Sequence, residues 1–288
     1  MTVTADGRAE PMQELPGEAA IMPRAGGENF AVAALVLGRE TRDHLLAIYG
    51  FARLVDQLGD EVEGDRLAKL DALEAEVDRV FGGTPRHPLM QRLQASARAC
   101  SFPRGPFDRL IEANRRDQSA VDYATFEALR DYCRHSADPV GELVLHVFGV
   151  ATPERVALSD DVCTALQLAE HWQDVAEDAA RGRIYLPAED RERFGVEPAD
   201  LSAPHAGGPL RELLRFEVDR ARALLDQGAA LVGTLRGRAR IAVAGYVAGG
   251  RAALDAIEAA GYDVLPGAPK PAKPHRVALT LRALVTGR

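Results

Sequence analysis

The segment LQLAEHWQDVAEDAARGRIYLP, residues 166–187, combines two aspartates one helical turn apart with a basic turn that follows them. Its polar residues recur every three or four positions, the spacing that places side chains on one side of an α-helix. The positions on that side are Gln167, Glu170, His171, Asp174 and Asp178. A glycine and a proline directly afterwards are expected to end the helix and to hold Arg181 and Arg183 near Asp178.

A second polar stripe lies upstream in YGFARLVDQLGDE, residues 49–61. Its members, which again step by three or four, are Tyr49, Arg53, Asp56 and Asp60. Taken alone, this stripe is also explained by a solvated acidic surface with one intrahelical ion pair. Two helices that each present a D-x-x-x-D pair instead favour a shared site in which the two pairs face each other.

Four carboxylates in one cavity require compensation. Two of them about 6 Å apart repel by roughly 3 kcal/mol at an effective dielectric constant near 20. Magnesium is the expected counterion, because it prefers one or two carboxylates together with water and phosphate oxygens. We predict that Mg²⁺ is held by Asp56, Asp60, Asp174 and Asp178. The neighbouring arginines 53, 181 and 183 suit a diphosphate group.

A di-iron centre is the competing interpretation of carboxylates in a helical protein. Such centres use a Glu-x-x-His motif on each of two helices. Here Glu142 and His146 are four residues apart, and Glu170 is adjacent to His171. The spacing therefore disfavours iron.

The fold class follows from helical periodicity. The chain has 288 residues, 47% of them hydrophobic, and alternating runs of β-branched residues are absent from its sequence. Besides the two stripes, the pattern predicts helices near 67–81, 88–99, 106–118, 125–149, 153–180, 209–233, 236–260 and 277–285, with loops at 187–198 and 202–209. We expect a mobile leader over residues 1–27 and one all-α domain over 28–288.

Charge and cysteine content narrow the function classes. A net charge of −8 argues against nucleic-acid binding, which needs a basic surface. Cys100, Cys133 and Cys163 show no paired spacing and are expected to be reduced thiols. No apolar run approaches the ~18 residues of a membrane-spanning helix, and no secretory signal is visible. A soluble cytoplasmic protein is expected, with peripheral membrane contact left open.

Four segments together resemble the squalene/phytoene synthase family. They are GENFAVA (27–33), YGFARLVDQLGDE, YCRHSADPVG (132–141) and the segment that ends in RGRIYLP, and ALDAIEAAGYDVL (253–265) is also similar. The resemblance implies an isoprenoid synthase helical bundle with a central cavity, Mg²⁺ as cofactor and a prenyl diphosphate as substrate.

Within that family, the sequence looks most like the bacterial enzymes that form hydroxysqualene on the route to squalene and hopanoids. This implies that presqualene diphosphate loses diphosphate, that the cyclopropylcarbinyl cation rearranges, and that water captures it. Synthesis of presqualene diphosphate, squalene or phytoene from prenyl diphosphates is the alternative. Another alternative is a weakly active paralogue that binds prenyl diphosphate or pairs with an active synthase.

The implied site extends beyond the aspartates. Tyr132 is assigned to catalysis, and it shares a helix side with Ser136 and Val140. The substrate-binding assignments are Phe30, Tyr49, Arg53, Gln167, Glu170, Gln173 and Arg181. Aromatic rings such as Phe51 and Trp172 are expected either to stabilise a carbocation or to pack in the core.

Three positions depart from the family pattern. Gln57 replaces the second of two paired aspartates, and Glu170 replaces an asparagine. Gly249 and Gly250 occupy the place of a common tyrosine, with Tyr246 nearby. Small residues there would leave room for a water nucleophile, whereas Glu170 either adds a ligand or repels diphosphate.

Overall fold

A computed structural model describes residues 15–16, 37–119 and 121–288. The GENFAVA segment with Phe30 and nearly all of the predicted leader lie outside these residues. The helices are α1 (Arg39–Asp60), α2 (Arg66–Gly82), α3 (Pro88–Cys100), α4 (Gly105–Arg116), α5 (Phe126–Ser136), α6 (Asp138–Val147), α7 (Pro153–Gln173), α8 (Val175–Ala180), α9 (Ala188–Phe194), α10 (Gly208–Gly228), α11 (Leu231–Thr234), α12 (Gly237–Ala259) and α13 (Lys273–Thr286).

The predicted all-α class is confirmed, with one small exception. Two short strands, β1 (Val121–Asp122) and β2 (Arg183–Ile184), pair in parallel. This pairing was not predicted, because two residues are too few to show an alternating pattern. It ties the basic turn after α8 to the connection between α4 and α5.

Side-chain caps mark the starts of several helices, and in α7 a proline follows the cap. The Thr152 hydroxyl accepts a hydrogen bond from the Arg155 backbone N–H, and Pro153 occupies the first position of α7. Proline suits that position because its missing N–H has no intrahelical partner there. Thr125 caps α5 in the same way through the Ala128 N–H. The start of the second aspartate helix is therefore encoded locally.

Three predicted helices are divided in the structure, and the one predicted over 209–233 forms α10 and α11. The helix predicted over 125–149 breaks at Ala137, because Pro139 cannot donate a backbone hydrogen bond and restricts the residue before it. The helix predicted over 153–180 kinks at Asp174, where φ is −104° and ψ is 16°. Hydrogen bonds continue on both sides of this kink, from Asp174 N to Glu170 O at 3.0 Å and from Asp178 N to Asp174 O at 2.9 Å.

The prediction of a loop over 187–198 was wrong, since this stretch contains α9. Pro187 was interpreted only as a terminator, although proline also precedes helices. The buried Arg191 side chain of α9 donates to the Leu186 carbonyl and to Asp122. The helix predicted over 277–285 is also longer than expected, because Pro274 stands in its first turn.

The hydrophobic interior has two main parts. One, around Phe51, Leu70 and Phe107, is formed by α1 to α4. The other surrounds Trp172 and is formed chiefly by α5, α7, α10 and α12. The first aspartate pair is therefore carried by one part of the core and the second pair by the other.

A glycine permits close packing beside the first pair. A Cβ atom at Gly59 would collide with the Asn114 side chain. The absence of a side chain at position 59 therefore allows α4 to approach α1 between Asp56 and Asp60.

Candidate active site

The two aspartate pairs meet at one polar cavity of about 290 Å³. Its walls come from α1, α4, α5, the α7–α8 kink and β2. The polar and aromatic residues that line it are Asp56, Asp60, Asn114, Asp117, Tyr132, Ser136, Gln167, Glu170, His171, Asp174, Asp178, Arg181, Arg183 and Tyr185. The predicted convergence of the two helices is thus present in the structure.

Asp56 is accessible from the cavity but is surrounded densely by protein. This burial raises the pKa of its carboxyl to about 7, although Arg53 and a hydrogen bond from Asn114 act in the opposite direction. The negative charges of Asp60 and Glu170 raise it further. The pKa of this carboxyl therefore lies well above that of an ordinary aspartate.

Asp60 is compensated by an arginine instead. The Arg183 guanidinium donates to both of its carboxylate oxygens, at 2.5 and 3.4 Å. Arg183 belongs to β2, so this ion pair joins the end of α1 to the turn after α8. Arg183 also lines the open cavity. Its guanidinium is therefore able to bind an anion there through two of its N–H groups.

The kink at Asp174 defines the second pair. Burial raises the pKa of Asp174, and the nearby carboxylates of Asp178 and Glu177 raise it further. Asp178 lies 3.9 Å from the Nδ1 atom of His171. Both aspartates and Glu170 thus face the same cavity, and their mutual repulsion favours a bound cation.

Tyr132 stands at the floor of the polar cavity within an aromatic cluster. Its hydroxyl donates to Asp117 at 2.8 Å, and burial raises the pKa of the phenol well above its usual range. His171 stacks on Tyr185 with ring centroids 3.6 Å apart, and both rings adjoin Tyr132. Tyr132 is therefore a neutral hydroxyl that is held in position by Asp117.

A larger, mainly apolar cavity of about 470 Å³ adjoins the polar one. Four residues line both: Ser136, Gln167, Glu170 and Asp174. The Ser136 hydroxyl is buried and has no hydrogen-bond partner within the described residues. Gly249 and Gly250 form part of the apolar wall, where small residues were expected to leave space.

The other predicted binding residues differ in which of the two cavities they line. Gln167 lines both cavities and contacts His171 at 3.3 Å. Gln173 lines the apolar cavity, and its amide donates to the carbonyl of Pro269. Arg181 lines the polar cavity, but its guanidinium binds Glu177 at 2.7 Å.

Two residues of the first stripe do not reach either cavity wall in the described structure. Tyr49 is buried, and Arg53 binds Glu61. Their contact with substrate stays a prediction. Phe51 and Trp172 are fully buried, Phe51 against Phe107 and Trp172 in the second part of the core, which favours the packing interpretation of both rings.

Sequence reasoning missed Asn114, Asp117 and Tyr185. Asn114 and Asp117 are three residues apart near the end of α4, so a helical stripe of two polar residues was available as a signal. That signal is weak, because such pairs are common on exposed helix surfaces. Tyr185 follows the kinked helix, and only the fold shows that it faces His171.

The side chains that line the polar cavity include the kinds of ligand that magnesium requires. The oxygen donors of the cavity are hard ligands of the kind that Mg²⁺ prefers. Among the described residues, no three His, Cys, Asp or Glu side chains already converge on one metal position. The carboxylates of the cavity fit Mg²⁺, because this ion keeps water and binds through few carboxylates and substrate phosphates.

Comparison with known proteins identifies the family. A model of squalene/phytoene synthases matches residues 23–283, and the chain belongs to this family of isoprenoid synthases that act on prenyl diphosphates. The hydroxysqualene synthase of Zymomonas mobilis is 35% identical over 205 residues, which cover 69% of this chain and 68% of that protein. The 15-cis-phytoene synthase of Synechococcus elongatus is 31% identical over 253 residues, 82% of each chain.

A solved structure supports the same fold. Squalene synthase HpnC from Alicyclobacillus acidocaldarius is 48% identical and superposes with a TM-score of 0.79, covering 83% of this chain and 91% of that one. The predicted helical bundle with a central cavity is confirmed. Within the described residues, none of the helices has the length and apolar character needed to cross a membrane.

Proposed function

We propose that the protein converts presqualene diphosphate into hydroxysqualene and diphosphate in a magnesium-dependent reaction. The observation that carries this proposal is the junction of the two cavities. A polar chamber with six carboxylates and two arginines opens directly beside an apolar chamber of about 470 Å³. That arrangement suits a substrate with a charged diphosphate at one end and long hydrocarbon chains at the other.

The aspartates and arginines would bind and neutralise the leaving group. Asp56, Asp60, Asp174 and Asp178 would hold Mg²⁺, which when bound supplies Lewis-acid stabilisation of the departing diphosphate. Arg183 would exchange Asp60 for diphosphate oxygens, and Arg181 is close enough to the cavity to do the same. The carbon–oxygen bond breaks with both electrons on the diphosphate.

The apolar walls would then control the carbocation. They exclude bulk water while the cyclopropylcarbinyl cation rearranges. The Ser136 hydroxyl, unpartnered at the junction, is suited to hold the single water that attacks. Water supplies the hydroxyl group of the product, and one proton is released.

Relatives support this choice within the family. The Zymomonas mobilis protein is a hydroxysqualene synthase, and so is a Rhodopseudomonas palustris relative at 33% identity. Other relatives are phytoene synthases. Head-to-head condensation of prenyl diphosphates is therefore the competing proposal for this protein.

Incubation of the purified protein with presqualene diphosphate, followed by lipid extraction, tests the proposal. Hydroxysqualene should form with Mg²⁺ and disappear with EDTA. Formation of presqualene diphosphate, squalene or phytoene from farnesyl or geranylgeranyl diphosphate, without hydroxysqualene, would refute it in favour of prenyl transfer.

Glu170 is the observation that favours a second candidate. It adds a sixth carboxylate to the five aspartates of the cavity and so opposes diphosphate binding. The chain would in that case bind prenyl diphosphate weakly, as the partner of an active paralogue. Magnesium-dependent diphosphate binding in calorimetry, with no turnover of any prenyl diphosphate, is the result that distinguishes it.

A further inference from the structure

The C-terminal helix α13 carries an apolar stripe that faces away from the protein. Val277, Leu281 and Val285 are 61%, 60% and 85% exposed. Their spacing of four places them on one side of the helix. The other side is attached to the bundle, since Ala283 is fully buried and Arg240 of α12 donates to the Leu284 carbonyl.

This stripe differs from other exposed apolar residues in the described structure. The remaining large ones are Leu67, Phe81 and Ile241. Two of these lie on α2 and one on α12, and none forms a row of three. Single exposed residues are ordinary, whereas a continuous row marks a contact surface.

The segment that carries the stripe is basic, although the whole molecule is acidic. Residues 266–288 contain five Lys and Arg residues and no Asp or Glu, in a chain of net charge −8. Lys273 lies one turn before Val277 on the same side of the helix, and Arg282 lies at the edge of the stripe, beside a cavity that Asp226 and Asp255 also line. Both basic side chains are exposed.

We propose that this side of α13 docks in the plane of an anionic lipid bilayer surface. An apolar row bordered by basic side chains is the pattern of interfacial helices, in which apolar groups enter the headgroup boundary and Lys or Arg meet anionic headgroups. The aliphatic stems of Lys273 and Arg282 are able to lie along the apolar layer while their charges stay in water.

A second copy of this chain is the less suitable occupant. A two-fold contact would place the same patch against itself. The basic side chains that border each stripe would then face one another without an acidic partner from residues 266–288. Lipid headgroups supply the missing negative charge, so the charge pattern selects the bilayer.

The docking surface is also connected to the apolar cavity. The segment that leads into α13 contacts the cavity wall, because the Gln173 amide donates to the Pro269 carbonyl. Docking through α13 would therefore hold the segment that contacts Gln173 close to the lipid surface. This inference does not depend on which prenyl diphosphate the enzyme uses.

Sedimentation of the full chain with lipid vesicles tests the proposal. The protein should bind vesicles that contain phosphatidylglycerol, bind phosphatidylcholine vesicles far less, and be released as salt is raised. The double variant Leu281→Glu/Val285→Glu should lose roughly tenfold or more of its affinity. Leu67→Glu is the matched control, because Leu67 is 49% exposed on a different helix.

A charge variant separates the two contributions. Lys273→Gln/Arg282→Gln should weaken binding to anionic vesicles and flatten its salt dependence, with no effect on the melting temperature. Equal binding of the wild type to neutral and anionic vesicles, or unchanged binding of the Leu281→Glu/Val285→Glu variant, would overturn the proposal. So would a concentration-dependent dimer in light scattering that only this variant abolishes, together with the absence of vesicle binding.

Discussion

Asp56 and Asp60 stand on the same wall of the polar cavity, yet their charges are compensated differently. Arg183 neutralises Asp60 at 2.5 Å, whereas burial raises the pKa of Asp56 to about 7. The sequence analysis expected bound cations to relieve the repulsion among the carboxylates. The Arg183 ion pair relieves part of it, and the raised pKa of Asp56 acts in the same direction, so the cavity is able to form before any metal binds.

Removal of the negative charge of Asp174 is the most direct test of the proposed metal site. Asp174→Asn keeps the size of the side chain and should lower kcat/KM by about 100-fold or more, because a lost ligand weakens transition-state charge stabilisation. Its melting temperature should not fall. Steady-state kinetics at saturating Mg²⁺ are the measurement.

Glu177→Gln is the control for that variant. Glu177 is exposed in the same helix and binds Arg181, outside the cavity wall. It should keep near-normal activity. Near-normal activity of Asp174→Asn as well would show that Asp174 does not bind the metal.

Glu170→Asn separates the two effects expected of the Glu170 carboxylate, which are cation binding and repulsion of the diphosphate. Removal of one negative charge should weaken Mg²⁺ binding in the absence of substrate and should lower KM for the diphosphate substrate. Each change should be about fivefold, the effect of roughly 1 kcal/mol between charges in a hydrated cavity. Calorimetry with Mg²⁺ and steady-state kinetics give the two values, and no change in either would show that Glu170 is neutral.

At the scale of elements, α12 determines how much space the apolar cavity offers. Gly249 lines that cavity and has open space beside its Cα. Gly249→Leu should therefore fold normally, since replacing glycine in a helix stabilises it by about 0.5–1 kcal/mol. It should also reduce turnover of presqualene diphosphate, because the new side chain occupies the cavity.

Gly245→Leu provides the comparison on the same helix. Gly245 also has open space around it but does not line the cavity. Product analysis by lipid extraction and thermal unfolding of both variants are the measurements. Equal activity of the two variants would show that the space beside Gly249 does not receive the substrate.

The buried Asp138 at the start of α6 should make the free energy of unfolding depend on pH. Asp138 is 2% exposed, and burial raises its pKa to about 8, although Thr164 donates to it at 2.9 Å. Between pH 4 and 8 the folded state therefore binds more protons than the unfolded state. The free energy of unfolding falls as pH rises through this range.

Urea unfolding at pH 6 and pH 9 tests this assignment. Asp138→Asn removes the titrating group. Between pH 6 and pH 9 the free energy of unfolding of the wild type should therefore fall by about 2–3 kcal/mol more than that of the variant. Glu217, with its pKa also raised to about 8, is present in both proteins and cancels in the comparison. An identical pH dependence of wild type and variant would contradict the raised pKa of Asp138.

Periodicity predicted most helices because their apolar sides are encoded within each segment. It failed where a tertiary contact determines the backbone. The kink at Asp174 has no proline or glycine to announce it, and β1 pairs with β2 across more than sixty residues. The spacing predicted both aspartate pairs because each pair is encoded within one segment. Asn114 and Tyr185 reach the site only through packing between helices, which the spacing does not show.

At the scale of the molecule, ligand binding should depend on both halves of the site. Magnesium alone is expected to raise Tm only slightly, because the Arg183 ion pair already compensates part of the negative charge. Magnesium with inorganic diphosphate should raise Tm by about 5 °C or more when both are in large excess. Differential scanning fluorimetry measures this, and an equally large shift with Mg²⁺ alone would contradict it.

The position of the cavity between the two parts of the core has a kinetic consequence. α1 belongs to the part around Phe51, and α7 belongs to the part around Trp172. A diphosphate with its metal ions would act as a non-covalent cross-link between these two units. Amide hydrogens of both helices should therefore exchange more slowly when the cavity is filled, although the helices share few direct contacts, and release of diphosphate would free the two units to open independently.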